Sequence, residues 1–158
     1  MDIFYLFLDK SEFKDEKKYL REHKSGRFIV EFAAKNYFQI KNPEIEIVNE
    51  KPRFKYSDIE FSISHSHNIA AVCFDKNPVG FDIEFIKERD FLPLARRMKF
   101  EMKENSLEEF YKYWTMYEAE YKLQCKAKSI YNEFFMEKYA ISAASSVNEN
   151  IKPKFHAL

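Results

Sequence analysis

Glycine is nearly absent from this chain: Gly26 and Gly80 are the two it carries in 158 residues. A phosphate-binding turn of the P-loop or dinucleotide-fold kind needs several glycines in one turn, so both kinds are excluded. Any phosphate must therefore be met by side chains, a metal or a helix end. The 26 Lys+Arg cancel the 26 Asp+Glu, which removes the whole-molecule basic field of a general nucleic-acid binder and leaves only local patches to consider. At 46% hydrophobic, with 17 Phe and 10 Tyr, the chain is far too apolar to stay disordered. Its length fits one domain or two small lobes sharing a core.

Cys73 and Cys125 are isolated, with no CxxC and no even-spaced framework, which fits reduced thiols better than a disulfide scaffold or a structural zinc site. The longest apolar runs, Ile3 to Leu8 and Ile69 to Phe74, are far too short to span a bilayer, and Asp2 sits where a signal peptide would carry positive charge. The expectation is a soluble cytoplasmic protein with no membrane or nucleic-acid partner.

Ile3 to Leu8 has strand length, and the charged stretch Ser11 to His23 predicts a solvated helix or loop. From Gly26 to Ile40, Phe28, Ile29, Phe32, Ala33, Tyr37 and Ile40 recur at helical spacing opposite Arg27, Glu31 and Lys35, which predicts a long helix. Ile45 and Ile47 alternate with Glu44 and Glu46 as in a half-buried strand, and Lys51-Pro52 predicts a loop at 49 to 53. Phe61 and Ile63 alternate with Ser62 and Ser64, a polar turn Ser64 to Asn68 follows, and Ile69 to Phe74 returns as a strand. Val79 to Ile86 alternates again, with Phe81, Ile83 and Phe85 on one face and Asp82 and Glu84 on the other. Ser106 with Glu109 reads as a capping box opening a second long helix, in which Leu107, Phe110, Trp114 and Tyr121 keep phase to about Cys125. The tail, with its aromatic stretch Phe134 to Tyr139, predicts some strand. Each half, 1 to 78 and 79 to 158, runs strand, long helix, short strands, as a duplicated α+β unit would.

Asp82 and Glu84, two apart on a strand, aim both carboxylates the same way and can share one hard cation. Surface strands also alternate acids with apolar residues as a matter of course. Glu118 and Lys122 offer a helical carboxylate and ammonium, but at this spacing an ordinary i,i+4 ion pair is by itself the favoured reading. His65 and His67 share a face if extended, compatible with a transition-metal pair, although a polar turn that grips an anion fits the Ser/His/Asn composition better. Arg27, at the start of the first predicted helix, is either an anion ligand helped by the helix's positive end or a solvated surface arginine.

Three segments shift these alternatives by resemblance: E-K-P (Glu50 to Pro52), F-S-I-S-H-S (Phe61 to Ser66) leading to V-G-F-D-I-E (Val79 to Glu84), and F-Y-K-Y-W-T-M-Y-E-A-E-Y-K (Phe110 to Lys122). In this order and spacing they resemble the 4'-phosphopantetheinyl transferases of the surfactin-synthetase-activator type. The resemblance covers roughly 24 to 145, with Ser25 to Phe28 similar to the family's arginine-bearing segment. It implies a single-chain, monomeric pseudo-dimer of two similar α/β lobes, 1–78 and 79–158. The implied reaction moves the phosphopantetheine arm of coenzyme A to a serine of an apo acyl or peptidyl carrier protein and releases 3',5'-ADP, as in fatty acid biosynthesis.

By the same resemblance Asp82, Glu84 and Glu118 match the carboxylates that hold Mg2+, for which Mn2+ can substitute. Glu118 matches the base for the serine hydroxyl and Lys122 the lysine that neutralises charge as the phosphoanhydride breaks. Arg27, Lys51, Pro52, Ser64, His65 and Asp82 match the surroundings of coenzyme A, with His65 near its 3'-phosphate. The chain departs from the family pattern in Tyr117, where a lysine usually precedes the catalytic Glu, in Glu50 for the glycine of a G-K-P loop, and in Cys125-Lys126-Ala127 for a G-K-G. It is also short after Lys122, which implies the loss of one or two strands there. Two other readings use the same residues: a family member that binds coenzyme A or a carrier protein without transfer, and a Mg2+-dependent phosphohydrolase.

Overall fold

A computed structural model describes residues 1–8 and 18–158. The first strand, β1 (Asp2–Phe7), leads to α1 (Lys18–Asn36), a small hairpin β2 (Ile45–Val48) and β3 (Lys51–Phe54), then a second hairpin β4 (Glu60–Ser66) and β5 (Ile69–Asp75). The second half runs β6 (Val79–Phe85), α2 (Leu92–Met98), α3 (Leu107–Leu123), β7 (Ser129–Phe135), β8 (Tyr139–Ser145) and β9 (Lys154–Ala157). The architecture is mixed α+β. One sheet has the order β4-β5-β1-β9, another the order β6-β8-β7, and β2 and β3 pair alone. In each large sheet the strand before the long helix pairs antiparallel with the second strand of the following hairpin, giving β4-β5-β1 and β7-β8-β6. β9 returns from the second half to lie parallel beside β1.

Strand periodicity explains the layering. Ile3, Ile69, Ala71 and Cys73 of the first sheet share a buried cluster with Val79, Phe81, Ile83, Tyr139, Ile141 and Ala143 of the second. Their neighbours Phe4, Ala70, Val72 and Phe74 turn the other way, onto Ile29, Val30, Ala33 and Ala34 of α1. The order of layers is thus α1, first sheet, second sheet, α3. β5 and β8 are covered on both faces, and so read as apolar runs rather than alternations.

Gly26 and Gly80 both sit where a helix crosses a strand, and neither has positive φ. A Cβ on Gly80 would lie 1.9 Å from the Ala119 carbonyl oxygen and 2.5 Å from the Leu123 amide nitrogen, so α3 rests directly on β6. Among the described residues the left-handed backbone positions fall on nine non-glycine residues. Two of these, Asn49 (φ 49°) and Glu50 (φ 66°), form a tight turn between β2 and β3. The predicted loop at 49 to 53 is therefore a two-residue hairpin turn, and Pro52 is accommodated in a strand of an isolated two-stranded sheet. Glu50 holds the conformation in which glycine would be unstrained. β2 is mostly exposed rather than half-buried, Ile47 at 68%.

α1 starts earlier than predicted and ends sooner. The charged stretch from Lys18 is helical, while the part of the Ser11 to His23 expectation at 11–17 lies outside the described residues. The helix closes at Ala33 and Ala34, whose carbonyls accept from Phe38 and Ile40 around left-handed Gln39. α3 begins as expected: the Ser106 hydroxyl accepts from the Glu109 amide, while the Glu109 carboxylate accepts from the amides of Lys103, Glu104 and Asn105 instead of closing a reciprocal box. Cys73 is buried, Cys125 is exposed, and both are free thiols. No helix among the described residues is long and apolar enough to cross a membrane.

Candidate active site

Where the sheets meet, edge strand β4 faces edge strand β6 through side chains. Ser62, Ser64 and Ser66 project from alternate positions of β4, and their hydroxyls accept from the amides of Phe81, Ile83 and Phe85 at 3.0, 3.3 and 3.0 Å. Three serines thus satisfy the open edge of β6. Two of them donate in turn to the acids between those amides: Ser64 to Asp82 Oδ1 at 2.8 Å and Ser66 to Glu84 Oε2 at 2.7 Å. The period-2 serines were visible in the sequence, but their partners on another strand were not.

Asp82 is 4% exposed. Its Oδ1 also accepts from the Lys122 ammonium at 2.7 Å, and that ammonium reaches Ser64 Oγ at 3.2 Å. Lys122 is therefore joined to Asp82 on β6 rather than held in the i,i+4 pair with Glu118 that spacing alone allows. Asp82 Oδ2 is buried with no hydrogen-bond partner. Burial raises the Glu84 pKa first; the Asp82 charge adds to this, and Ser66, Lys122 and Trp114 oppose it. Burial, then Asp82, likewise raises that of Glu118, against the pull of Lys122. Asp82, Glu84, Glu118 and Lys122 are thus electrostatic neighbours on facing surfaces of β6 and α3, a proximity that the Gly80 contact permits.

The donor chemistry suits a hard divalent cation: carboxylate oxygens, one of them orphaned, beside two acids whose raised pKa values a nearby positive charge would lower. Among the described residues, however, no group of three His, Cys, Asp or Glu is already gathered closely enough to hold an ion.

A cleft leads away from Lys122. One section, about 220 Å³, is lined by Glu50, Lys51, Pro52, Phe61, Ser62, Ile63, Tyr121, Lys122 and Gln124. The next, about 660 Å³, shares Pro52, Phe61 and Ile63 with it and reaches Arg27, His23 and His65. Gln124 donates to the Asn49 carbonyl and ties the end of α3 to the hairpin turn beside this cleft.

The remaining sequence candidates divide. Pro52 and His65 line the cleft, and so does Arg27, but Arg27 lies well inside α1, away from the helix's positive end, with its Nε 3.0 Å from Glu31. Lys51 is 5% exposed and donates to the Val79 carbonyl at 2.6 Å; burial pushes its pKa down, with Glu60 opposing. The Ser64 hydroxyl donates once and accepts twice, which exhausts its capacity. His65 and His67 do not form a pair: His67 is left-handed (φ 58°) and stacks on Phe85, lining a different cavity from His65. Tyr117 packs against Trp114 and Phe100 on the partly exposed side of α3. Sequence reasoning missed Ser66, Gln124 and the contact of Trp114 with Glu84; the i,i+2,i+4 serines were the signal for the first, and nothing local marked the others.

No protein-family profile matches the chain. An 86-residue alignment covering 47% of the chain is 37% identical to a Haemophilus influenzae protein named "Putative 4'-phosphopantetheinyl transferase". The match spans 37% of that protein's length, so the likeness extends to little more than a third of it.

Proposed function

We propose that the protein is a 4'-phosphopantetheinyl transferase of the surfactin-synthetase-activator type, moving the phosphopantetheine arm of coenzyme A to a serine of an apo acyl carrier protein. The observation that carries this reading is that two adjoining cavities, sharing Pro52, Phe61 and Ile63, reach Arg27 and His65 on one side and Lys122 on the other, where Lys122 pairs with Asp82. The partial likeness to the Haemophilus influenzae protein supports the reaction class. The matching strand order of the two large sheets supports a pseudo-dimer, with β9 stitching the second half back onto the first.

Each group then has a physical task. Arg27 and His65, at the far end of the cleft, meet the 3'-phosphate of coenzyme A with charge-assisted hydrogen bonds. Pro52, Phe61 and Ile63 form an apolar floor between that end and the acids. Glu118, with its raised pKa, takes the proton of the carrier serine hydroxyl as its oxygen attacks the pantetheine-side phosphorus of the pyrophosphate. The phosphoanhydride bond breaks, and the departing oxygen leaves with 3',5'-ADP. Lys122 supplies positive charge to the phosphate oxygens during that step. Mg2+ held by Asp82, Glu84 and Glu118 would add further charge at the pyrophosphate and orient it. Ser64 and Lys51 take supporting roles in place of direct grip: Ser64 aims Asp82, and Lys51 anchors β3 to the start of β6.

Intact-mass spectrometry of apo carrier proteins incubated with the protein, coenzyme A and Mg2+ tests the proposal. A gain of one phosphopantetheine on the carrier supports it. Release of inorganic phosphate with an unmodified carrier supports the phosphohydrolase instead, and coenzyme binding without either product supports a binding protein.

A further inference from the structure

The contact between Lys122 and Asp82 gives Lys122 a second role. Asp82 is almost fully buried on β6, yet its carboxylate has one oxygen held by Ser64 and Lys122 and the other without a partner. A lone buried carboxylate is costly, and a cation supplied by the chain itself lowers that cost. Lys122 comes from α3, is 29% exposed, and can swing outward along the cleft it lines.

The geometry points to Lys122 as a resident counter-cation that competes with a divalent metal for the charge of Asp82, so that metal loading at the unpartnered oxygen loosens the ammonium toward the cleft. This rests on the metal assignment made above and adds an order of events to it. Before loading, Lys122 clamps α3 to β6 through Asp82 and to β4 through Ser64, and the carboxylates are not gathered around one point. On loading, the clamp opens and the freed ammonium becomes available to a phosphate oxygen. Two cations contend for one carboxylate, so removing the resident one strengthens binding of the other.

Mn2+ titration followed by electron paramagnetic resonance, without coenzyme A, tests this on wild type, Lys122→Met, Lys122→Gln, Lys126→Met and Asp82→Asn. Lys122→Met is expected to bind Mn2+ about tenfold more tightly than wild type, a typical coupling between two competing ligands. Lys122→Gln keeps an N–H donor for Asp82 without the charge; it guards against a folding defect in the Met variant and should also bind more tightly. Lys126→Met, which removes a neighbouring charge that does not touch Asp82, should bind like wild type. Unchanged or weaker binding in both Lys122 variants overturns the proposal, as does an equal gain in Lys126→Met. Wild type and Asp82→Asn binding Mn2+ equally would instead remove the metal assignment itself.

Discussion

Both long helices lie on a sheet with a glycine at the crossing, but the two interfaces are built from different chemistry. Under α1 the described contact is mainly apolar: Ile29, Val30, Ala33 and Ala34 meet Phe4, Phe61, Ala70, Val72 and Phe74. Under α3 the apolar residues Ala119 and Leu123 share the interface with Asp82, Glu84, Glu118 and Lys122, and with a buried hydroxyl pair, Thr115 and Ser142, 2.8 Å apart. The glycines differ accordingly. Gly26 is on the helix, where a Cβ would meet a side-chain methyl of Ile63 at 2.8 Å, whereas Gly80 is on the strand, where a Cβ would meet helix backbone. One interface is built for packing and the other, in the function proposed here, for chemistry, at a cost in buried polar groups that its serine and lysine partners offset.

The largest effect should come from Gly80→Ala. Helix backbone at 1.9 Å cannot rotate away as a side chain can, so α3 must lift off β6. We expect a loss of about 3 kcal/mol or more, with Glu118 and Lys122 carried away from Asp82. Urea unfolding measures the stability change, and wild-type stability in this variant would refute so tight a crossing. Next is Asp82→Asn, which keeps side-chain shape but removes the charge that holds Lys122. Transfer to a carrier protein should fall at least about a hundredfold, with a smaller stability loss of about 1–3 kcal/mol from the lost charge-assisted hydrogen bond. Transfer at the wild-type rate would place the chemistry elsewhere.

Glu84→Gln should separate stability from activity in the opposite sense. The folded-state pKa of Glu84 lies above its ordinary value of 4.5, chiefly through burial, so ionising it works against the fold. That penalty is absent below the unfolded pKa, grows as pH rises through the interval up to the folded pKa, and is constant above it. The variant should melt roughly a degree or two higher than wild type at pH 7, lose the advantage below about pH 4.5, and transfer more slowly. A variant less stable than wild type at neutral pH would mean that the Ser66 hydrogen bond outweighs burial.

The same contrast explains what the sequence made legible. Asp82 and Glu84 on one face of β6, and the start of α3 at Ser106, were readable because strand alternation and helix capping are local. The start of α1 stayed open between helix and loop, since Lys18 to His23 lack the apolar recurrence that marks a helix. The β2–β3 turn was hidden because Asn49 and Glu50 adopt left-handed backbone without glycine. The helix Leu92–Met98 was missed although Pro93 in its first turn was a start signal. Nothing local could show that Lys122 pairs with Asp82, forty residues away, in preference to Glu118.

Gly26→Ala is the smallest effect and sharpens the comparison most, because two terms of similar size oppose each other. Alanine gains about 0.8–1 kcal/mol of helix propensity over glycine in mid-helix. Against it stands the Ile63 Cγ2 methyl at 2.8 Å, which must give way. Unlike helix backbone, an isoleucine can tilt, and it has somewhere to go because Ile63 lines the cleft between Arg27 and Lys122. Net stability should therefore change by no more than about 0.5 kcal/mol, while the displaced side chain narrows the cleft and weakens coenzyme A binding severalfold by calorimetry. A double-mutant cycle with Ile63→Ala isolates the contact: the clash term vanishes with the methyl, so Gly26→Ala should become stabilising by most of its helix-propensity gain. If it is no more favourable in that background, Ile63 is not what limits the approach of α1, and the two crossings differ less than their distances imply.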